Sequence, residues 1–270
     1  MSTIIDTHTH LYDIPDLVQA LSLSSESGVS DVVALGVDYS SNTRHLDFAK
    51  VGFKTAPVIH LGLGIHPGNI TPEDVEQCFS LFRDVLGKGT SGGFPEIVAI
   101  GEIGLDFWYK WVRRDDVKKA EQRLVFQRQL DLAKEFDLPV VVHSRGTWRE
   151  CLDRLVATGI RKADFHWYSG PVDVLKDILD AGYVISVTPA LVGAIHESPL
   201  RKAAEYAPIE QIMVETDTPV RFAIPGGSER MPSIPKDVWR TFHALCVLKK
   251  LDKEKALSRV NANARAFFNI

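Results

Sequence analysis

A chain of 270 residues with 45% hydrophobic and 24% charged side chains has the composition of a folded globular protein and not of a disordered one. Its formal net charge of −4 excludes a strongly basic protein that coats nucleic acid by charge alone, although local basic contacts stay possible. The three cysteines, Cys78, Cys151 and Cys246, lie far apart and predict no CxxC metal pair and no disulfide framework.

The first predicted strand runs from Ile4 to His10 and ends in two histidines. Because side chains alternate along a strand, Asp6, His8 and His10 share one face, and the two imidazoles can point at a common spot. Imidazole is a common metal ligand, so this pair has the residue types of half a metal site. A His-x-His pair is weak evidence alone, because polar residues at a strand end would explain it equally well.

Short apolar runs then alternate with helical stretches along the rest of the chain. Seven further strands are predicted at 31–37, 57–64, 97–101, 139–142, 163–165, 183–187 and 211–215. Helices are predicted at 13–27, from a turn at 39–42 to about 50, and at 72–86, 118–136, 146–157, 171–181, 198–206, 236–249 and 253–268. These strands lack the polar face of an exposed antiparallel strand, which favours a parallel sheet covered by helices.

Eight strand-helix units are the number that closes a (β/α)8, or TIM, barrel. The alternative is an open doubly wound sheet, which usually carries a glycine-rich dinucleotide turn after its first strand. The corresponding turn here, Leu11-Tyr12-Asp13, has no glycine. The sequence therefore predicts an α/β TIM barrel, a single domain over residues 1–270, with its site at the C-terminal ends of the strands.

Ionisable side chains stand at the ends of these strands. His8 and His10 belong to the first strand, and the later strands are followed or ended by His66, Glu102, His143, His166 and Asp217. A single ionisable residue at a strand end would usually be a polar residue with its hydrogen bonds satisfied. Several of them at the same edge of the barrel are not explained in that way. For His66 a purely structural role is a stronger alternative than it is for the other residues of this set. It is the preferred explanation for four further histidines without a partner motif, His45, His60, His196 and His243.

Nitrogen and carboxylate ligands without a thiolate suit divalent ions such as Zn²⁺, Mn²⁺ or Mg²⁺. The set is too large for one tetrahedral site, whereas two ions bridged by a carboxylate would use all of it. Such an ion pair stabilises the attacking and leaving oxygens of a phosphoryl displacement. Glu102 is the expected bridge because it is central in strand order, and Asp217 could both hold a metal and accept a proton from water.

Five motifs in this order carry a resemblance to a known family. They are Asp6-Thr-His8-Thr-His10-Leu11, Gly101-Glu102-Ile-Gly-Leu-Asp106-Phe107, His143-Ser-Arg145, His166-Trp-Tyr-Ser-Gly170 and Glu215-Thr-Asp217-Thr-Pro219. With the tail from Asn261 to Phe268, they make the chain similar over nearly its whole length to the TatD family of metal-dependent deoxyribonucleases, within the amidohydrolase superfamily.

The resemblance implies a TIM barrel whose two divalent ions (Mg, Mn or Zn) support cleavage of DNA phosphodiesters, often as a 3'-5' exonuclease. By motif, His8, His10, Glu102 and Asp217 would hold one ion, and Glu102, His143 and His166 the other. His66 would contact the substrate, which is expected to be single-stranded DNA or DNA ends.

Three segments depart from the family pattern. His166-Trp167-Tyr168-Ser169-Gly170 replaces the usual His-Cys followed by Phe-Ser-Gly or Phe-Thr-Gly, the segment 226–235 lacks the usual Arg-Gly and Asn-Glu-Pro, and the loop 107–116 is enlarged with tryptophans. These changes leave the metal ligands intact, but they leave open which substrate the site binds. Arg145 and Arg221 are predicted phosphate contacts, and the Trp108–Trp111 loop is either a base-stacking platform or a cover over the barrel edge.

Two other functions stay open. The same metal site could hydrolyse a small ester, lactone, amide or phosphate ester, which the acidic charge and the altered loops favour. A non-catalytic binding protein is disfavoured because every ligand position is filled. The sequence has no charged leader before an apolar stretch, and no apolar run reaches the ~18 residues that span a bilayer, so a cytoplasmic protein without membrane contact is predicted. The oligomeric state and the native metal are not determined.

Overall fold

A computed structural model, which describes residues 2–193, 198–223 and 230–270, forms one parallel sheet whose eight strands follow each other in chain order. The strands are β1 (Ile4–Thr9), β2 (Val29–Leu35), β3 (Val58–Leu63), β4 (Ile97–Gly104), β5 (Val140–His143), β6 (Ala163–Phe165), β7 (Val184–Val187) and β8 (Ile212–Val214). The helices are α1 (Leu17–Glu26), α2 (Tyr39–Val51), α3 (Pro72–Lys88), α4 (Asp116–Glu135), α5 (Trp148–Thr158), α6 (Val172–Asp180), α7 (Pro199–Tyr206), α8 (Val238–Lys249) and α9 (Lys253–Phe268).

The sheet closes where the first strand meets the segment after the last. A parallel bridge joins Thr9 to Thr218, the amide of His10 donates to the carbonyl of Thr218 at 2.8 Å, and the amide of Asp217 donates to the carbonyl of His8 at 3.0 Å. The predicted TIM barrel is therefore confirmed. The seam also brings His8 and His10, at one end of the chain, beside Asp217, near the other.

Two helix starts differ from the sequence-based expectation. The helix predicted from residue 13 begins at Leu17, because Leu11–Asp13 forms a 3-10 turn and the Asp16 carboxylate caps the helix by accepting from the amide of Gln19. The turn predicted at 39–42 is the first turn of α2. There the Asp38 carboxylate accepts from the amide of Ser41, and the Ser41 hydroxyl accepts from the amide of Asp38, which makes a capping box.

Strand β4 extends three residues beyond its predicted end, to Gly104, and all of its residues are buried. Glu102 therefore lies within the strand and projects from it, instead of following it in a loop. An antiparallel pair, β9 (Arg221–Ala223) and β10 (Arg230–Pro232), was not predicted. Part of the altered segment 226–235, residues 226–229, lies outside the described residues.

The apolar core lies between the barrel and its helices, and a smaller cluster lies inside the barrel. The inner cluster includes Ile5, Val33, Ala99, Val141 and Met213, each no more than 1% exposed. The three cysteines are free and buried. Among the described residues no helix is long and apolar enough to cross a membrane. The cytoplasmic location stays a prediction.

Candidate metal centre

The predicted ligands meet at the C-terminal end of the barrel, around a cleft of about 440 Å³. Strands β1, β4 and β5 carry His8, Glu102 and His143. His10 and His166 follow β1 and β6 directly, and Asp217 lies three residues beyond the end of β8. Parallel strands bring these positions together because their carboxyl ends share one rim. Residues more than two hundred positions apart in the chain thus surround one space.

The first group of ligand atoms contains His8, His10, Asp217 and one oxygen of Glu102. The two histidine Nε2 atoms are 3.2 Å apart, and they lie 3.4 and 3.3 Å from Glu102 Oε2. From Asp217 Oδ1 the distances are 3.5 Å to His8 Nε2 and 3.2 Å to His10 Nε2. Ligands roughly 2.1 Å from a central ion are roughly 3.4 Å apart in a tetrahedron, so the spacing fits one ion.

The second group is centred on the other oxygen of Glu102. Glu102 Oε1 lies 3.0 Å from His143 Nδ1 and 2.8 Å from His166 Nε2, and these two nitrogens are 3.4 Å apart. His66 Nε2 is 3.6 Å from the same oxygen. Glu102 thus turns one carboxylate oxygen to each group, which is the arrangement of a bridging ligand.

The electrostatics of the first group favour a positive charge. Burial lowers the pKa of His10, but hydrogen bonds and charges from Asp217 and Glu102 outweigh burial and raise the pKa to about 10. Burial raises the pKa of Asp217, but the same interactions with His10 and His8 lower it to about 2. Carboxylates that stabilise a proton so strongly would also stabilise a divalent cation at this position.

In His10 and His143, a hydrogen bond at the ring nitrogen that points away from the centre leaves the other nitrogen facing the centre. His10 Nδ1 is 3.1 Å from the carbonyl oxygen of Leu35, which can only accept, so Nδ1 keeps its proton and Nε2 is the nitrogen at which an ion would replace a proton. His143 is turned the other way. Its Nε2 donates to Asp106 Oδ2 at 2.9 Å, which leaves Nδ1 facing Glu102.

One buried carboxylate faces the two remaining ligand rings. Glu215 Oε2 lies 3.4 Å from His8 Nδ1, and Glu215 Oε1 lies 3.6 Å from His166 Nδ1. Oε1 also accepts from the amide of Trp167 and the hydroxyl of Ser186, both at 2.8 Å. The site prediction omitted Asp106 and Glu215, although both stand in the quoted motifs. A carboxylate two to four residues from a ligand in a motif was the available signal.

His66 differs from these four histidines in its hydrogen-bonding state. The amide of Gly68 donates to His66 Nδ1 at 2.9 Å. Burial lowers the pKa of His66 to about 3, so the ring is neutral and its single proton is on Nε2. Distances alone group His66 with Glu102 and His143 as a possible metal site. In this tautomer His66 presents an N–H group to the centre, and an N–H group has no lone pair with which to bind an ion.

The two predicted phosphate contacts have different positions. Arg145 lines the cleft, and its guanidinium donates to Asp106 Oδ2 at 2.8 Å while its side chain stays 44% exposed. Arg221 is exposed in β9 and donates to the carbonyl of Arg230. The structure brings Arg145 to the site and leaves Arg221 outside the described residues that line the cleft.

His45, His60 and His243 belong to none of the groups of candidate ligands. His45 is buried and accepts from the amide of Tyr12 at 3.3 Å, and His60 is 3.0 Å from Asp31. His243 lies on α8. His196 is outside the described residues.

Comparisons with known proteins identify the family. The family model described as TatD related DNase matches residues 5–269. The uncharacterized metal-dependent hydrolase YjjV of Escherichia coli is 27% identical over 98% of this chain and 98% of its own length. The deoxyribonuclease TATDN3 of Homo sapiens is 27% identical over 98% of this chain and 94% of its own length.

Solved structures show the same architecture. The crystal structure of the E. coli TatD homologue YjjV superposes with a TM-score of 0.83 at 26% identity, and the match covers 99% of this chain and 98% of that one. A hydrolase TatD family protein from Entamoeba histolytica gives a TM-score of 0.78 at 18% identity, covering 99% of both chains, and shows the shared fold alone.

Proposed function

The chain belongs to the TatD-related DNase family of metal-dependent hydrolases, and from this we propose that it is a two-metal deoxyribonuclease that hydrolyses DNA phosphodiesters. The catalytic domain would comprise residues 1–270. One observation carries the proposal: the two oxygens of Glu102 face two separate groups of ligand atoms. A carboxylate in this position can bridge two ions, and paired ions suit phosphoryl displacement.

The residues present fit two divalent ions. His8, His10, Asp217 and Glu102 would hold one ion, and Glu102, His143 and His166 the other. The donors are nitrogens and carboxylate oxygens, which suits Zn²⁺, Mn²⁺ or Mg²⁺. When bound, such ions supply a Lewis acid that neutralises charge on the phosphate and activates water.

Asp217 is proposed as the general base. Its Oδ1 faces the two histidines of the first group, and its carboxylate is ionised at neutral pH as that of any aspartate with an ordinary or lowered pKa is. A carboxylate whose second oxygen is not engaged by these histidines can accept a proton from an attacking water.

His66 and Arg145 are proposed to bind the phosphate. Both line the cleft beside Glu102. The Nε2–H of His66 is a neutral donor that can hold a non-bridging oxygen, and the guanidinium of Arg145 keeps donors beyond those that bind Asp106. Both groups would stabilise negative charge as it develops on the phosphate.

Digestion of a labelled single-stranded oligonucleotide with added Mg²⁺, Mn²⁺ or Zn²⁺ tests the proposal directly. We expect nucleotide release that depends on the ion, stops with chelator and is lost in Glu102→Ala. If wild-type protein releases no nucleotide with any of the three ions, it is not a deoxyribonuclease.

We further propose that cleavage begins at the 3' end of a single strand. The aromatic side chains of Tyr12, Tyr109, Trp148 and Trp167 line the cleft and suit unpaired bases, which a duplex would hide in its own stack. A strand blocked by 3'-terminal phosphorothioates should resist digestion, whereas a 5'-blocked strand should not. Digestion of circular single-stranded DNA at a comparable rate would contradict the need for an end.

The size of the cleft favours one alternative, hydrolysis of a small ester, lactone or phosphate ester at the same centre. A volume of about 440 Å³ is typical of a small-molecule pocket. A panel containing a lactone, p-nitrophenyl acetate and bis(p-nitrophenyl) phosphate separates the two functions. Turnover of a carboxylic ester or lactone without DNA cleavage would favour the alternative.

A further inference from the structure

The loop between β4 and α4 presents aromatic rings at the edge of the cleft. The ring of Tyr109 lines the cleft, with its centroid 6.4 Å from that of His66. The ring of Trp111 stacks on Tyr109 with a centroid distance of 5.3 Å and an interplanar angle of 17°. Trp111 is nevertheless 47% exposed. His66 and Tyr109 meet edge to face, with an interplanar angle of 82°, so a row of rings that ends in the stacked pair Tyr109–Trp111 leads from the candidate metal centre out to solvent.

The same loop carries cations that have no partner among the described residues. Lys110, Arg113 and Arg114 are exposed, and within the described part of the chain they form no ion pair or side-chain hydrogen bond. The aspartates that follow do not neutralise them directly, because Asp115 caps α4 and Asp116 pairs with Lys119. Three cations without a partner in the described ranges therefore stand beside an exposed indole, in a chain whose net charge is −4.

The loop is ordered by its own backbone. Val112 is fully buried, and the amides of Val112 and Arg113 both donate to the carbonyl of Tyr109 at 2.9 Å. Val112 therefore anchors the loop by a buried side chain, while Trp111 beside it stays 47% exposed. Rings held in place before binding lose little conformational entropy when a ligand stacks on them.

The guanidinium of Arg145 extends the stack towards the candidate centre. It lies 4.9 Å from the centroid of Tyr109, and Asp106 holds it through hydrogen bonds of 2.8 Å. Planar rings and planar cations in one row match a ligand that alternates flat apolar bases with negative phosphates.

We propose that Trp111, Tyr109 and the cations Lys110, Arg113 and Arg114 form a stacking subsite for unpaired nucleotides next to the scissile phosphate. We call this set of five residues the stacking subsite. It rests on the proposed function, because a DNA substrate supplies the occupant. The bases must be unpaired, since a duplex already stacks their faces against one another. The occupant is thus single-stranded DNA that extends out of the cleft.

Binding is measured by fluorescence anisotropy of a labelled 12-residue deoxyoligonucleotide in chelator, so that no cleavage occurs. Trp111→Ala should weaken binding roughly tenfold, within the range for loss of one stacked base. Tyr206→Ala is the matched control, because Tyr206 on α7 is an aromatic residue with nearly the same exposure, 48%. The affinity of this variant should equal that of wild type. An unchanged affinity of Trp111→Ala overturns the proposal.

A conservative variant separates stacking from a general loss of structure. Trp111→Phe keeps a ring that can stack and should retain most of the affinity. If Phe and Ala weaken binding equally, stacking is not the cause and the proposal fails. Replacing Lys110, Arg113 and Arg114 together by Gln should reduce the slope of log affinity against log salt by about 2, at ~0.7 per phosphate contact.

Kinetics distinguish failure of the subsite from failure of the proposed function. With active protein, Trp111→Ala should raise KM for the oligonucleotide, and it should lower kcat/KM at least fivefold more for this substrate than for bis(p-nitrophenyl) phosphate. Wild-type cleavage of DNA with equal losses for both substrates overturns the subsite alone. Wild-type protein that cleaves neither substrate overturns the proposed function, and the anisotropy result then decides the subsite by itself.

Discussion

The amide of Gly68 donates to Nδ1 of His66 over 2.9 Å, and this one hydrogen bond makes His66 a donor at Nε2. His10 and His143 have acceptors behind them instead, the carbonyl of Leu35 and the carboxylate of Asp106, so they can turn a lone pair inward. Five histidines around one cleft therefore divide into four candidate ligands and one candidate substrate contact.

The first prediction concerns His66. His66→Ala should reduce kcat on DNA by about 10²–10³-fold, because a donor to the developing phosphate charge is lost. Its metal content, measured by mass spectrometry after dialysis, should equal that of wild type. His143→Ala is the matched variant and should lose an ion. Equal metal loss in both variants would make His66 a ligand.

Glu102→Ala should reduce the content of both ions. Each oxygen of Glu102 faces a different group of ligand atoms, at 3.3–3.4 Å from the first and 2.8–3.0 Å from the second. His10→Ala should affect only the first group. We would measure metal-to-protein ratios for the three proteins side by side. A Glu102→Ala protein that retains one full equivalent would argue against the bridge.

Glu215 should support both ions although it binds neither. It faces the Nδ1 atoms of His8 and His166, one ring from each group, and it is fully buried. Glu215→Gln should lower the affinity for both ions about 10–100-fold, as replacement of a residue that contacts the far side of a metal ligand commonly does. Asp106→Asn is the control, because His143 is the only one of the candidate ligands to which Asp106 is hydrogen-bonded among the described residues. Titration against a competing chelator resolves the binding of the two ions. If only one of the two affinities falls in Glu215→Gln, Glu215 does not support both ions.

Asp217→Asn should separate metal binding from proton transfer. The amide oxygen can still occupy the position 3.2 Å from His10 Nε2, but an amide cannot accept a proton from water. We expect kcat to fall by about 10²–10⁴-fold while metal content stays near that of wild type. The readouts are single-turnover rates and metal analysis on the same preparation. A parallel loss of turnover and occupancy would leave Asp217 as a ligand only.

His45 should make the fold sensitive to acid. Burial, with smaller effects from His10 and Arg44, lowers the pKa of His45 from 6.5 to about 3. The unfolded chain therefore binds a proton between pH 6.5 and 3 that the native state rejects, so stability falls as pH falls below 6.5. At pH 5 this linkage amounts to ~2 kcal/mol of the free energy of unfolding.

Urea unfolding in chelator at pH 7.5 and pH 5.0 measures this effect. His45→Gln keeps an acceptor for the amide of Tyr12 but has no group that titrates in this range. The variant should lose less stability than wild type over the same interval, by about 1–2 kcal/mol. The other histidines contribute equally to both proteins and cancel in the comparison. Identical losses would mean that His45 is not responsible.

The architecture was largely predictable because its signals are local. A short apolar run of β-prone residues indicates a buried strand wherever it occurs, and eight such runs separated by helices indicate the barrel. Helix starts were less predictable. The Asp16 carboxylate decides where α1 begins by capping Gln19, and a side-chain cap of this kind is not visible in the apolar pattern.

The sequence by itself determined which residue types stand at the strand ends, and therefore the candidate ligands His8, His10, Glu102, His143, His166 and Asp217. Only the tertiary structure decided which nitrogen or oxygen of each faces the centre. The partners that orient them come from distant elements: Leu35 behind His10, Asp106 behind His143, and Glu215 behind His8. Barrel closure brings the first two pairs into hydrogen bonds and the third to 3.4 Å, whereas periodicity along one segment reports only which face a side chain occupies.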